Sequence, residues 1–231
     1  MKWLTESFTR EGPGIPKDEP KKTGLALFAQ ILRREWWDLF RLNLLFIVFS
    51  LPLITLPATF AGTVRVAVLM VEDENIYLMR EFTGTFRRLF WRATLWGAIF
   101  AAVLTLSAYG VFIYAQLVPQ ALPYALALAL AIVTSLFLWM VAVHFFVLMV
   151  RAPALSTAIL LRLAALAVLY RPLPALGALA FIAALWLAHI LFYPASVFMP
   201  VAFNFSLGTL ALVFATWRAS EFALSREQHS A

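Results

Sequence analysis

Residues 123–150 read PYALALALAIVTSLFLWMVAVHFFVLMV, a run with one histidine and no acid, lysine or arginine. As a helix it would extend ~42 Å at 1.5 Å per residue, more than the ~30 Å hydrocarbon core of a bilayer. An apolar backbone of this length crosses lipid only as a helix, because each N–H and C=O has to be satisfied inside the segment. The surroundings repeat the message: from Phe82 to Ser220 there is no Asp or Glu in 139 residues. Ionised groups are costly in hydrocarbon, and an acid within a span would mark a proton relay or a catalytic base. This stretch offers neither.

Hydrophobic residues make up 63% of the chain and charged residues 13%, against about 45–50% and about 25% in soluble domains. The net charge of +6 comes from 18 basic residues. Eight of these fall in residues 1–41, five between Arg65 and Arg92, and the rest at Arg151, Arg162, Arg171, Arg218 and Arg226. They flank apolar spans, as topology signals do, and form no solvated basic face for nucleic acid. Cysteine is absent, which excludes disulfides, thiol catalysis and Cys-ligated metals. Met1 to Arg10 has no apolar core of the kind a cleavable signal peptide needs, so insertion is expected to rest on the first apolar segment and the mature chain to equal this sequence.

Three prolines and two glycines in residues 11–22 forbid regular structure, and residues 1–23 are expected to be an extended cytoplasmic tail. The remainder, 24–231, is expected to form one membrane domain. Helical segments are expected at about 24–51, 57–71, 77–91, 93–118, 123–150, 156–170, 173–194 and 198–217. The uncharged links at 119–122 and 195–197 suit only antiparallel hairpins, and Arg-bearing segments occupy the opposite ends. By the positive-inside rule those ends, with both termini, face the cytoplasm.

The apolar stretch from Leu42 to Val71 would break that rule as a single crossing. Pro52 and Pro57, with Thr55 between them, resolve the conflict: each proline removes a backbone donor and disfavours helix in the residue before it. We read a proline-cornered hairpin whose return arm, about 57–71, either spans or is re-entrant. Tyr77 to Trp91 mixes four charges with five large apolar residues and suits a helix lying on the cytoplasmic interface. A poorer copy falls at 156–170. Each precedes a hairpin ending in Arg151 or Arg218, 67 residues apart, which reflects either an internal repeat or the need of any hairpin for an arginine at its cytosolic exit. The expected fold is all-α and polytopic: the cornered hairpin, two transmembrane hairpins, and cytoplasmic interfacial helices.

Few groups could carry chemistry. His144 and His189 lie within spans that hold no acid or thiol, so they cannot complete a tetrahedral metal site. They serve helix packing, or they contact a substrate. Asn43 and Asn204, with scattered Ser and Thr, either line a polar path with the two histidines or act as ordinary helix glue. Arg34, Asp38 and Arg41 fall at i, i+4 and i+7 on one helix face. With Trp36 and Trp37 they form either a solvated charge ladder or a docking face for a partner. No phosphate loop, catalytic triad or HExxH motif occurs, and no catalytic residue, metal or cofactor is assigned.

Gly12-Pro13-Gly14-Ile15-Pro16-Lys17-Asp18 with Pro20-Lys21-Lys22, then Glu35-Trp36-Trp37-Asp38-Leu39, Leu42-Asn43, Leu51-Pro52, Thr55, Pro57-Ala58 and Phe86-Arg87-Arg88, together resemble the YesL-like family of bacterial integral membrane proteins. The resemblance covers essentially the whole chain and is most specific over residues 12–92. The family is defined by a domain of unknown function, and its members are typically encoded beside sugar ABC-importer components and glycoside hydrolases. It therefore implies a multi-pass protein of the bacterial cell membrane with a link to carbohydrate uptake, and assigns no mechanism. The expected function is that of a non-enzymatic accessory subunit of a carbohydrate ABC importer, with the lipid bilayer and a sugar permease or other membrane subunits as partners. The alternative is a self-sufficient small-solute transporter or channel.

Overall fold

The computed structural model describes residues 23–228. The chain divides into two units, Met1–Arg34 and Glu35–Ala231, and the division falls inside the first helix. The tail expected at 1–23 lies, apart from Thr23, outside the described residues. In the first unit Gly24 adopts φ 59°, a left-handed conformation that costs glycine nothing, and the helix starts there.

Seven α-helices run through the described residues: α1 (Gly24–Ser50), α2 (Leu56–Glu72), α3 (Leu78–Leu117), α4 (Pro123–Arg151), α5 (Thr157–Tyr170), α6 (Pro172–Leu191) and α7 (Phe205–Gln228). A 3₁₀ turn at Leu53–Thr55 joins α1 to α2, and a π-helical segment, Pro200–Asn204, leads into α7. The chain is a polytopic α-helical membrane protein. Five helical stretches are long and apolar enough to cross: Leu53–Glu72, Leu78–Leu117, Pro123–Arg151, Pro172–Leu191 and Pro200–Gln228. Helix α1 is not one of them. Its apolar run from Leu42 to Ser50 extends only ~14 Å, about half of the hydrocarbon core.

The proline corner forms where expected, for a reason visible in its hydrogen bonds. A helix leaves its last four carbonyls without partners, and here side chains reach two of them. Ser50 Oγ donates to Ile47 O at 3.1 Å, and Thr55 Oγ1 bonds Phe49 O as well as Pro52 O, the latter at 2.6 Å. Leu51, Leu53 and Ile54 at the tip are 76%, 81% and 65% exposed, so the corner presents an apolar cap suited to lipid or a partner.

Beyond the corner, 11 of the 17 residues of α2 are buried. Its small residues admit close neighbours: a Cβ on Gly62 would lie 3.0 Å from the Phe82 ring, and one on Gly97 would lie 2.4 Å from Cβ and Cγ of Pro57. With the Arg65–Glu81 ion pair at 3.0 Å, these pairs set α2 antiparallel along the first half of α3.

Three expectations need correction. The separate segments 77–91 and 93–118 are one 40-residue helix, α3. Arg92-Ala93-Thr94 contains no proline or glycine to stop it, and charge alone does not end a helix. Its amphipathic stripe, Leu78, Phe82, Thr85, Leu89 and Ala93, is buried in the protein. The span expected at 198–217 opens with the π segment and continues to Gln228, and that at 173–194 stops at Leu191. The segment expected at 156–170 forms as α5, capped by Ser156 Oγ accepting from Ile159 N at 3.4 Å.

Candidate functional site

Asn43 is fully buried, and both ends of its amide are hydrogen-bonded. Its Nδ2 donates to Pro200 O at 2.9 Å and Val201 O at 2.6 Å, and its Oδ1 accepts from Phe205 N at 3.0 Å and Ser206 N at 3.1 Å. An amide has two donors and two acceptor sites, and all four are used. The π turn breaks the regular backbone ladder at 200–206, and Asn43 satisfies the groups that this releases. Phe46 stacks on Phe205 beside it at 4.6 Å. Asn43 is therefore a structural staple between α1 and the start of α7. Asn204 belongs to the same segment, 3% exposed, with its Nδ2 unpartnered among the described residues.

The two histidines sit on other elements. His144 on α4 is fully buried; Nδ1 is 2.8 Å from Met140 O and Nε2 has no partner among the described residues. His189 near the end of α6 closes on the following turn: Nδ1 is 3.0 Å from Ser196 O, and Ser196 Oγ donates to His189 O at 2.7 Å. Asn43 and Asn204 thus share one segment, while His144 and His189 are held locally.

In the Glu35–Ala231 unit, Trp36 and Trp37 are 54% and 53% exposed, packed edge to face with ring centroids 5.5 Å apart. Asp38 pairs with Arg41 at 3.1 Å. Arg34, also exposed, belongs to the first unit. Pro52, Thr55 and Pro57 form the corner already described, and Thr94 of α3 bonds the Ile54 carbonyl there at 3.5 Å.

A charged cluster that the sequence did not announce joins the ends of several helices. Arg151 lies 3.8 Å over the Trp217 ring, and Glu221 and Glu72 act on it electrostatically. Arg92 donates to Pro153 O at 2.9 Å and Leu155 O at 2.7 Å, holding the turn between α4 and α5, and Arg162 pairs with Glu227. The uncharged turns at 118–122 and 192–199 lie at the opposite ends of α4 and α7. An arginine just before an apolar run was the one sequence signal for Arg92; its partners, some 60 residues away, left none. Among the described residues no group of three or more His, Asp or Glu is placed to hold a metal ion. The arrangement does mechanical work: it splices a broken helix, locks a corner and ties helix ends.

Residues 39–111 match the family described as a protein of unknown function, DUF624. This is the YesL-like family, so the match agrees with the resemblance read from the sequence, the matched segment running from α1 through the corner and α2 into α3. No curated protein and no solved structure matches.

Proposed function

We propose that this chain is a non-enzymatic accessory subunit that docks in the cell membrane onto the permease of a bacterial carbohydrate ABC importer. One contrast carries the reading. Asn43 in four bonds and His189 with Ser196 in a closed clamp are used internally, while Trp36, Trp37 and the Asp38–Arg41 pair stand on an exposed face. Half-exposed indoles beside an ion pair have the composition of an interface anchor. The carbohydrate assignment rests on the importer and glycosidase neighbours that the family resemblance implies. Affinity purification from native membranes in mild detergent, with mass spectrometry of what co-purifies, tests it. The permease is expected with the wild-type chain and to be depleted by Trp36→Ala with Arg41→Glu. Wild-type protein that purifies alone while the importer stays intact overturns the reading.

Both termini and the charged cluster of Arg151, Arg92 and Arg162 face the cytoplasm in this proposal, by the positive-inside rule, with α1 and α2 entering and leaving on that side as a re-entrant hairpin and the four later stretches crossing. The chain has no native cysteine, so single cysteines at Thr23, Gly84 and Gln120 report sidedness. An impermeant reagent is expected to label position 120 on intact cells, and positions 23 and 84 only after permeabilisation. Labelling of 84 from outside would reverse the assignment.

A second reading, a self-sufficient small-solute transporter, draws on Thr59, His144 and Asn204, each buried with an unpartnered polar atom among the described residues. Such groups mark pathways in membrane proteins when they meet a solute. Uptake by proteoliposomes of the purified chain alone, abolished by His144→Ala or Asn204→Ala, would favour it over docking.

A further inference from the structure

Helix α5 and the last turns of α7 flank an open hollow of about 470 Å³ lined by Arg162, Leu163, Leu166, Phe222, Arg226 and Glu227. Its floor is apolar and its rim carries two guanidinium groups. Arg162, with its side chain 66% exposed, pairs with Glu227. Arg226 lays its guanidinium 5.2 Å from the centre of the Phe222 ring, a contact that neutralises none of its charge. Two cations against one carboxylate leave the hollow net positive. Tyr170 stacks on Phe222 with centroids 3.9 Å apart, which fixes the floor.

Arg162, Leu166 and Leu169 fall at i, i+4 and i+7, one face of α5. Leu166 is 36% exposed, Leu169 72% and Tyr170 53%, and Leu173, 76% exposed, follows beyond Arg171 at the start of α6. Helix α6 is itself long and apolar enough to cross the membrane. A charged hollow thus opens onto an apolar track that leads to a membrane-crossing helix.

We propose that this hollow binds the phosphate headgroup of an anionic phospholipid, with Arg162 and Arg226 on the phosphate and an acyl chain laid along Leu166 and Leu169 towards α6. Paired guanidinium groups suit phosphate oxygens, to which they bond in charge-assisted fashion. Basic pockets at the ends of membrane helices recognise anionic headgroups by this means. Inorganic phosphate shares the headgroup chemistry, but it would leave Leu166 and Phe222 facing water, so the apolar floor selects the lipid. Glu227 competes with the phosphate for Arg162 and sets the affinity.

The test uses the full chain in a neutral detergent, titrated with phosphatidylglycerol, phosphatidylcholine or inorganic phosphate, with bound lipid read by native mass spectrometry. Phosphatidylglycerol is expected to bind in preference to phosphatidylcholine and to resist displacement by equimolar phosphate. Arg162→Ala and Arg226→Ala should each weaken it about fivefold, the double Lys variant should retain most of the binding, and Glu227→Gln should strengthen it. Arg87→Ala with Arg88→Ala, exposed on α3, should change nothing. Equal retention of the two lipids, displacement by inorganic phosphate, or equal losses from the α3 pair and the hollow pair would each overturn the proposal. If the Ala variants fail to fold, Glu227→Gln decides: no gain in binding overturns it.

Discussion

Helix α4 contains two apolar halves with opposite fates. From Pro123 to Trp139 no residue is buried, whereas every residue from Met140 to Val150 is. In a soluble protein hydropathy would separate the two halves. Here it does not, because lipid is as apolar as a protein core and the hydrophobic effect gives no reason to choose between them. The buried half is distinguished by its neighbours: Phe145 meets Trp96 and Phe100, and Phe146 meets Phe60, all at ring-centroid distances of 5.3–5.4 Å. Stability in this chain should therefore depend on van der Waals fit in the packed half and hardly at all on side-chain identity in the other.

The sharpest break of that comparison is Phe145→Ala against Leu130→Ala. Phe145 is fully buried and Leu130 is 59% exposed. The first should cost about 3–5 kcal/mol of unfolding free energy and the second within about 0.5 kcal/mol, as read by thermal unfolding in one detergent. Comparable losses would mean that the outer half is packed too.

Glycine substitutions in α3 probe the same boundary from the other side. Gly97→Ala drives a methyl into Pro57, while a Cβ at Gly110 meets nothing within 4 Å. Overpacking should cost about 1–3 kcal/mol at position 97. Gly110→Ala should gain about 0.5–1 kcal/mol from helix propensity. A neutral Gly97→Ala would show that α2 and α3 can slide apart at the corner.

For polar groups, Asn43→Leu against Ser107→Ala sharpens the contrast. Losing the staple leaves two carbonyls of the π segment and two amides at the start of α7 without that partner, at about 1–3 kcal/mol. Ser107 has one part-buried bond, to Ser135, worth about 0.6 kcal/mol in a membrane helix pair. Hydrogen exchange at Phe205 and Ser206 should quicken in the first variant alone. The smallest effect is expected from Asp38→Asn, which removes an ion pair whose arginine side chain is 54% exposed. Its stability cost should be no more than about 0.5 kcal/mol. A larger loss would place Asp38 in a packed environment rather than on a surface.

How much of this could be read from the chain varies by element. The corner was legible because Pro52 and Pro57 act locally, on their own backbone donors and preceding residues. The start of α4 at Pro123 and the capped α5 were legible for the same reason. The join at Arg92 was misread as a boundary because a change from charged to apolar resembles the end of one element, while the backbone at Ala93 and Thr94 has no cause to stop. The roles of Asn43 and His189 were left open, since an amide or imidazole in a span looks the same whether it is satisfied by a neighbour or awaits a solute.

The amino-acid sequence by itself determined that this chain is α-helical and multi-pass, where its backbone turns, and that no acid enters the later spans, because helix period, proline chemistry and the cost of charge in hydrocarbon act within a few residues. Only the tertiary structure decided which apolar faces meet protein and which remain exposed, that Asn43 splices a π-helix more than 150 residues away, and that Arg162 and Arg226 converge on one hollow. Those outcomes depend on distances between residues remote in the chain, and hydropathy carries no record of them once lipid and core are equally apolar.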